Sequence, residues 1–201
     1  MTTHPKQLWL LAGGNGAGKS AFHRLFLAPA GVAMVNADRI ALALNPDAPE
    51  AASYDAAAQA EILRNDLLDR GASSCLETVF SHVSKIDFLA RAKAHGYRVI
   101  VVFIHLDTVE LNLARISQRV AAGGHGVPEE KVRSRLPRTL ANIAKALPLI
   151  DEIYLLDNSS ADDPFRVVAR VVDGAIRKLA RGAPEWVKEL IRDLPRRKKN
   201  P

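Results

Sequence analysis

Apolar residues along the chain gather in five short blocks, at residues 7–12, 32–36, 74–80, 97–106 and 153–156. Each is short and bounded by turn residues, and 97–106 is almost continuously β-branched or aromatic, so each predicts a buried strand. The longer stretches between them carry helix signals. A helix is expected from about Gly18 to Leu27, closed by Pro29 and Gly31, and a short one over 39–44. Residues 51–70 predict a long helix stopped by Gly71, and Ser84 with Asp87 forms a capping-box-like start for a helix ending near Gly96. Helices follow over 108–122 and from Pro128 to about Leu147, the latter expected to break or kink at Pro137. Beyond the fifth strand a helix is predicted over 163–181, then a short one over 185–194.

Short apolar strands alternating with helices imply a parallel sheet of about five strands covered on both faces. Ligands are then expected at the carboxyl ends of the strands. The 201 residues suit a single domain over 1–195, with a basic tail at 196–201. With 48% apolar and 25% charged residues, whole-chain disorder is excluded. The longest strongly apolar run, 99–104, is far below the roughly twenty residues a spanning helix needs. Cys75 is the sole cysteine, which leaves no disulfide framework or thiolate cluster; with no signal peptide in view, the cytoplasm is the expected compartment. The net charge of +6 falls to +2 when Arg196, Arg197, Lys198 and Lys199 are set aside. A near-neutral body and 5% aromatics argue against a nucleic-acid partner, and the tail reads as a frayed terminus or a docking tail.

The sharpest chemical signal is Gly13-Gly14-Asn15-Gly16-Ala17-Gly18-Lys19-Ser20, a full match to G-x-x-x-x-G-K-[ST] between a predicted strand and helix. Glycines let the backbone wrap phosphate oxygens, and the helix N-terminus adds partial positive charge. Lys19 is expected on the β- and γ-phosphates and the Ser20 hydroxyl on Mg²⁺, so the chain should bind a nucleoside triphosphate, ATP or GTP.

Other strand ends carry the remaining candidates. Asp38, after strand two, can accept a proton from an attacking hydroxyl or cap the short helix over 39–44. Glu77, with Thr78 at the end of strand three, can bind a substrate hydroxyl or sit at a fraying strand end. Asp107 occupies a position where P-loop enzymes often hold magnesium, but Asp107-Thr108-Val109-Glu110 also reads as a capping box, the preferred reading. Arg115 and Arg119 share a helix face, and Arg133, Arg135 and Arg138 cluster beyond the glycine loop 123–128; as a set they suggest a lid over transferring phosphate. His125 reads as a loop histidine. Asp157, Asn158 and Ser159 close strand five, lining an adenine edge or forming an Asx turn. No zinc or serine-hydrolase motif is present.

Taken together, LLAGGNGAGKS, VNADRIA, LETVFSHVSK, AKAHGYRVIVVFIHL, RISQRVAAGGHGVPEEKV and LLDNS follow the order seen in short bacterial zeta-toxin-like proteins, which the chain resembles over about residues 7–160. Two departures stand out: Arg135-Leu136-Pro137 replaces an Arg-Tyr pair, and Gly14-Asn15 replaces Pro-Asn. The resemblance implies an α/β fold, a P-loop kinase-like three-layer sandwich with an arginine-bearing helical lid over about 112–147. It implies ATP-dependent phosphorylation of a UDP-activated amino sugar such as UDP-N-acetylglucosamine, and a cognate antitoxin as a possible partner. By the same resemblance Asp38 is the general base, Lys19 and Ser20 hold triphosphate and Mg²⁺, Glu77 binds substrate, Arg119 contacts the transferring phosphate, and Arg135 or Arg138 is the second lid arginine. The competing readings are a P-loop kinase with a different acceptor and a nucleotide switch acting through a protein partner.

Overall fold

The five apolar segments become the parallel strands of one sheet. In the computed structural model, which describes residues 6–124 and 126–195, the order is β1 (Gln7–Ala12), α1 (Lys19–Phe22) continued by a π-helical turn over His23–Leu27, β2 (Met34–Val35), α2 (Ala37–Leu44), α3 (Ser53–Asp69), β3 (Ser74–Thr78), α4 (Ser84–Ala94), β4 (Arg98–His105), α5 (Val109–Ala121), α6 (Glu129–Ala146), β5 (Glu152–Asp157), β6 (Arg166–Val172), β7 (Ala175–Leu179) and α7 (Glu185–Leu190). His125 and the basic residues 196–199 lie outside the described residues. The sheet order is β2-β3-β1-β4-β5-β6-β7, parallel through β5 and antiparallel beyond it.

Helices cover the two faces unequally. On one, Leu68 of α3, Leu89 of α4, Ile143 of α6 and Val187 of α7 pack with Leu10, Val101, Phe103 and Leu155 of the sheet. On the other, Leu11, Val102, Ile104 and Leu156 meet Ala17, Phe22 and Leu27 around α1, with Leu111 of α5. Strand β4 lies between both clusters, which is why its sequence is an unbroken apolar run.

The helix expected over 163–181 is instead the hairpin β6–β7. Val172 pairs with Ala175 across a two-residue loop, Asp173-Gly174, whose φ angles are both positive at 50° and 69°. Asp-Gly favours this turn because its twist matches that of the strands, and the β-branched pairs Val167-Val168 and Val171-Val172 suit a pleated sheet better than a helix. Three caps also differ from expectation. Asn36, rather than Asp38, caps α2, its Oδ1 accepting from the amides of Asp38 and Arg39. Thr108, rather than Asp107, caps α5 by accepting from Leu111 N. Helix α4 begins at Ser84 with no side-chain cap, and the ring of His82 makes the local bonds to Ser84.

Helix α6 runs through Pro137 without a break. Proline removes the amide that would bond the Arg133 carbonyl. The surrounding turns carry side-chain bonds instead: Arg138 Nε donates to the Ser134 carbonyl, and Arg133 pairs with Glu129 and Glu110. Just past β3, Phe80 is fully buried with φ of 63°, a left-handed conformation costing roughly 1–2 kcal/mol in a bulky residue. Thr78 Oγ1 accepts from its amide at 3.0 Å, and its ring is held in the core, so the surroundings impose the turn that carries the chain off the sheet.

Candidate active site

The sheet register sets the site. Leu11 lies opposite Glu77, and Ala12 opposite Thr78, so the glycine loop leaving β1 faces the polar end of β3. The loop approaches its neighbours too closely for any side chain at Gly13, where a Cβ would run into the Ile104 carbonyl at φ of 151°. Lys19 is buried, and its Nζ donates to the carbonyls of Gly13 and Gly14, both at 2.9 Å. Burial pulls the Lys19 ammonium below the ordinary lysine value; Glu77 and Asp38 oppose this and Arg119 adds to it. Those three side chains therefore act on one cation.

Asn36 links the two acidic candidates. Its Oδ1 holds the first turn of α2, leaving the Asp38 carboxylate exposed to the cleft, while its Nδ2 donates to Glu77 Oε2 at 2.9 Å. The Ser20 hydroxyl donates to the same carboxylate oxygen at 2.9 Å. The cleft between these elements measures about 440 Å³ and is bordered on its far side by Arg115, Arg119 and Arg135 from α5 and α6. Arg135 Nη1 lies 3.5 Å from Asn15 Oδ1, and Arg115 Nη2 donates to the Asn158 carbonyl at 2.8 Å.

The structure thus brings Asn15, Lys19, Ser20, Asp38, Glu77, Thr78, Arg119 and Arg135 to one cleft. It separates others from it. Arg138 is exposed and bonded to Ser134, so Arg135 is the arginine of α6 that faces the phosphate loop. Asp157 is paired with Arg166 and bonded to Ser159, and Asn158 is buried behind the loop, its Nδ2 donating to Ala17 O and its Oδ1 accepting from Phe165 N. Of the two roles expected for this segment, a nucleotide edge or an Asx turn, the Asx-type bond is formed, Ser159 N donating to Asp157 Oδ1 at 3.0 Å, and both side chains bond the protein itself. Asp107 lies at the cap of α5, its amide donating to Ser159 Oγ. Among the described residues no group of three His, Cys, Asp or Glu side chains gathers to hold a metal. Cys75 is core: burial, then the Glu77 charge, push its thiol up to about 12.

The zeta toxin family model matches residues 2–160. The chain belongs to the zeta toxin family. It is 34% identical over 137 residues to an uncharacterized protein of Haemophilus influenzae, an alignment covering 65% of this chain and 97% of the relative. Among solved structures, the AvrRxo1-ORF1:AvrRxo1-ORF2 complex with sulphate ions aligns with a TM-score of 0.73 at 19% identity, over 94% of this chain and 64% of that one, so the chain spans just under two thirds of its length. The same pair is known with ATP, at a TM-score of 0.62, 18% identity and the same coverage. The PezAT toxin-antitoxin system of Streptococcus pneumoniae aligns with a TM-score of 0.63 at 18% identity, over 83% of this chain and 72% of that one. At these identities the structures show a shared fold.

Within this zeta toxin family member, sequence reasoning passed over several polar residues that hold the site. Asn112 of α5 is fully buried and donates to the Asn15 carbonyl at 2.6 Å. Thr139 and Asn142 of α6, also buried, donate to the carbonyls of Val79 and Phe80. Their signal was a polar residue at a core-facing helix position, between buried neighbours such as Ile116 or Ile143.

Proposed function

We propose that this protein is an ATP-dependent kinase that phosphorylates a hydroxyl of a nucleotide-sugar, UDP-N-acetylglucosamine being the acceptor the family resemblance favours. The observation that carries the reading is one cleft in which a phosphate loop, an exposed Asp38 carboxylate and three arginines face one another. The loop amides and the α1 N-terminus suit the triphosphate, and Lys19 lies between the loop and the carboxylates. Asp38 takes the proton of the acceptor hydroxyl as its oxygen bonds the γ-phosphorus and the bond to the β-phosphate oxygen breaks, releasing ADP. Arg119 and Arg135 balance the charge spread over the equatorial oxygens.

The Ser20 hydroxyl beside the Glu77 carboxylate is an all-oxygen pair of the kind a hard divalent cation takes. Ser20 would hold Mg²⁺ and Glu77 would bind the acceptor; when bound, the ion would offset negative charge on the triphosphate. An antitoxin-type protein partner belongs to the same reading, from the similarity to PezAT. So does action in the cytoplasm, and no helix among the described residues is long and apolar enough to cross a membrane.

Incubating the protein with ATP, Mg²⁺ and a panel of nucleotide-sugars, with products scored by mass, tests the reading. Phosphate on UDP-N-acetylglucosamine is expected, and Asp38→Asn should lower the rate by about 10²–10⁴ while ATP affinity holds. ATP turnover with every acceptor unmodified would move the reading to another acceptor or to a nucleotide switch.

A further inference from the structure

Helix α6 performs two tasks one turn apart. Its Arg135 reaches toward the phosphate loop, and Thr139 and Asn142, farther along the same face, reach the chain just beyond Glu77 and Thr78. Thr139 Oγ1 lies 2.8 Å from the Val79 carbonyl and 3.0 Å from the Arg135 carbonyl. The hydroxyl has one proton, the shorter contact is to Val79, and the helix ladder already serves the Arg135 carbonyl. Asn142 Nδ2 donates to the Phe80 carbonyl at 3.0 Å. Both donors are at most 5% exposed, so neither bond is exchanged easily for water.

Three points therefore fix the strand end: Thr78 on the Phe80 amide, Thr139 on the Val79 carbonyl, and Asn142 on the Phe80 carbonyl. The segment they fix holds a left-handed, fully buried phenylalanine, which would relax toward ordinary backbone if released. Pro137 deprives the helix of the ladder bond to the Arg133 carbonyl, in the turn that contains Arg135. The spacing between Arg135 and Glu77 thus depends on these side-chain bonds to the segment after β3 as well as on the helix.

We propose that Thr139 and Asn142 are positioning residues that bolt the lid helix to the end of β3, setting Arg135 and Glu77 at one spacing across the cleft. This rests on the cleft being the phosphotransfer site. Neither residue touches the reacting atoms; each acts through Arg135 and the β3 end.

The test uses Thr139→Val, which keeps shape and removes the donor, and Thr139→Ser, which restores it. Thr139→Val is expected to lower kcat at least tenfold with ATP affinity within about twofold of wild type, because small misplacements of a charge-balancing arginine act on the transition state. Thr139→Ser should recover kcat to within about threefold. In an Arg135→Ala background Thr139→Val should cost at least about threefold less than it does alone, since one of the two residues it spaces is gone. Amide exchange of residues 79–81 and 131–136 should quicken together in Thr139→Val and in Asn142→Asp, and this readout needs no acceptor. Wild-type kcat in Thr139→Val, failure of serine to rescue, or a full loss on top of Arg135→Ala would overturn the bolt. If no acceptor is ever phosphorylated, exchange decides alone: joint quickening supports the coupling, and unchanged exchange in either segment refutes it.

Discussion

Asn158 offers the sharpest contrast between a residue that binds nucleotide and one that holds the loop that does. Its side chain is 4% exposed; Nδ2 donates to Ala17 O at 2.9 Å and Oδ1 accepts from Phe165 N at 3.0 Å. Asn158→Asp preserves shape and the second bond but sets a carboxylate oxygen against the Ala17 carbonyl. Losing the donor removes about 1 kcal/mol, and burying an acceptor against an acceptor adds about 1–3 kcal/mol. The sum at pH 7 is about 3 kcal/mol, or roughly 6–12 °C in Tm for a chain of this size. The pH dependence carries the signature. Protonated aspartate can donate to Ala17 O, so the folded carboxyl value must lie above the unfolded one near 3.9. The variant should then match wild type most closely below about pH 4 and fall behind as pH rises through the raised folded value. Denaturant unfolding of both proteins from pH 4 to 8 measures this difference. A deficit under about 1 kcal/mol at every pH, together with tenfold weaker ATP binding, would refute the brace and put Asn158 on the nucleotide.

Two further outcomes follow from geometry and charge. Arg135→Ala should lower kcat about a hundredfold, while Arg138→Ala, whose guanidinium is exposed and bonded to Ser134, should change it less than about threefold; parallel steady-state assays separate them. Burial pulls the His105 imidazole below 6.5 against the opposing charges of Asp107 and Asp157. The unfolded chain therefore binds that proton first, and stability should fall as pH drops below about 6.5. Glu152 and Asp157 titrate lower: burial raises their carboxyls, but hydrogen bonds led by Tyr154 and Arg170 for Glu152, and by Ser159 and Arg166 for Asp157, outweigh it and hold both below ordinary values. Their loss enters only below about pH 4.5, so His105→Phe, at a ring packed in tilted contact with Phe103 and Trp186, should flatten the slope between pH 6.5 and 5.5. An unchanged slope would assign it elsewhere.

The sequence showed most plainly those features that a local pattern determines. A short apolar run between turns favours a buried strand, so all five parallel strands and the phosphate loop were legible. The hairpin β6–β7 was not, because alternating valines and charged residues over 166–179 fit a helix period nearly as well as a strand period; Asp173-Gly174 was the deciding signal. Caps shifted by one or two residues because Asn36 and Asp38 are both good capping residues, and only the register with Glu77 shows which is needed elsewhere. The split between Arg135 and Arg138 depends on the angle of α6 over the loop, which no local pattern contains.

Four buried asparagines hold this site, and the choice of residue has a physical reason. Asn36, Asn112, Asn142 and Asn158 are at most 9% exposed and bond, in turn, Glu77 and two α2 amides, the Asn15 carbonyl, the Phe80 carbonyl, and the Ala17 carbonyl. The three carbonyls among these partners, of Asn15, Ala17 and Phe80, lie in the turns that follow β1 and β3, so they lack regular mates and would cost about 1–3 kcal/mol each if buried unpaired. Lysine or arginine could donate to them, but would be drawn to Glu77, Asp38 or a bound triphosphate. Aspartate or glutamate could not donate, and would repel the anion the loop is shaped to take. A neutral amide both donates and accepts, adding no charge beside Lys19. These four braces, which act beside the Lys19 bonds to Gly13 and Gly14, are therefore electrically silent toward the chemistry and leave the cleft's field to Lys19, the two carboxylates and the arginines.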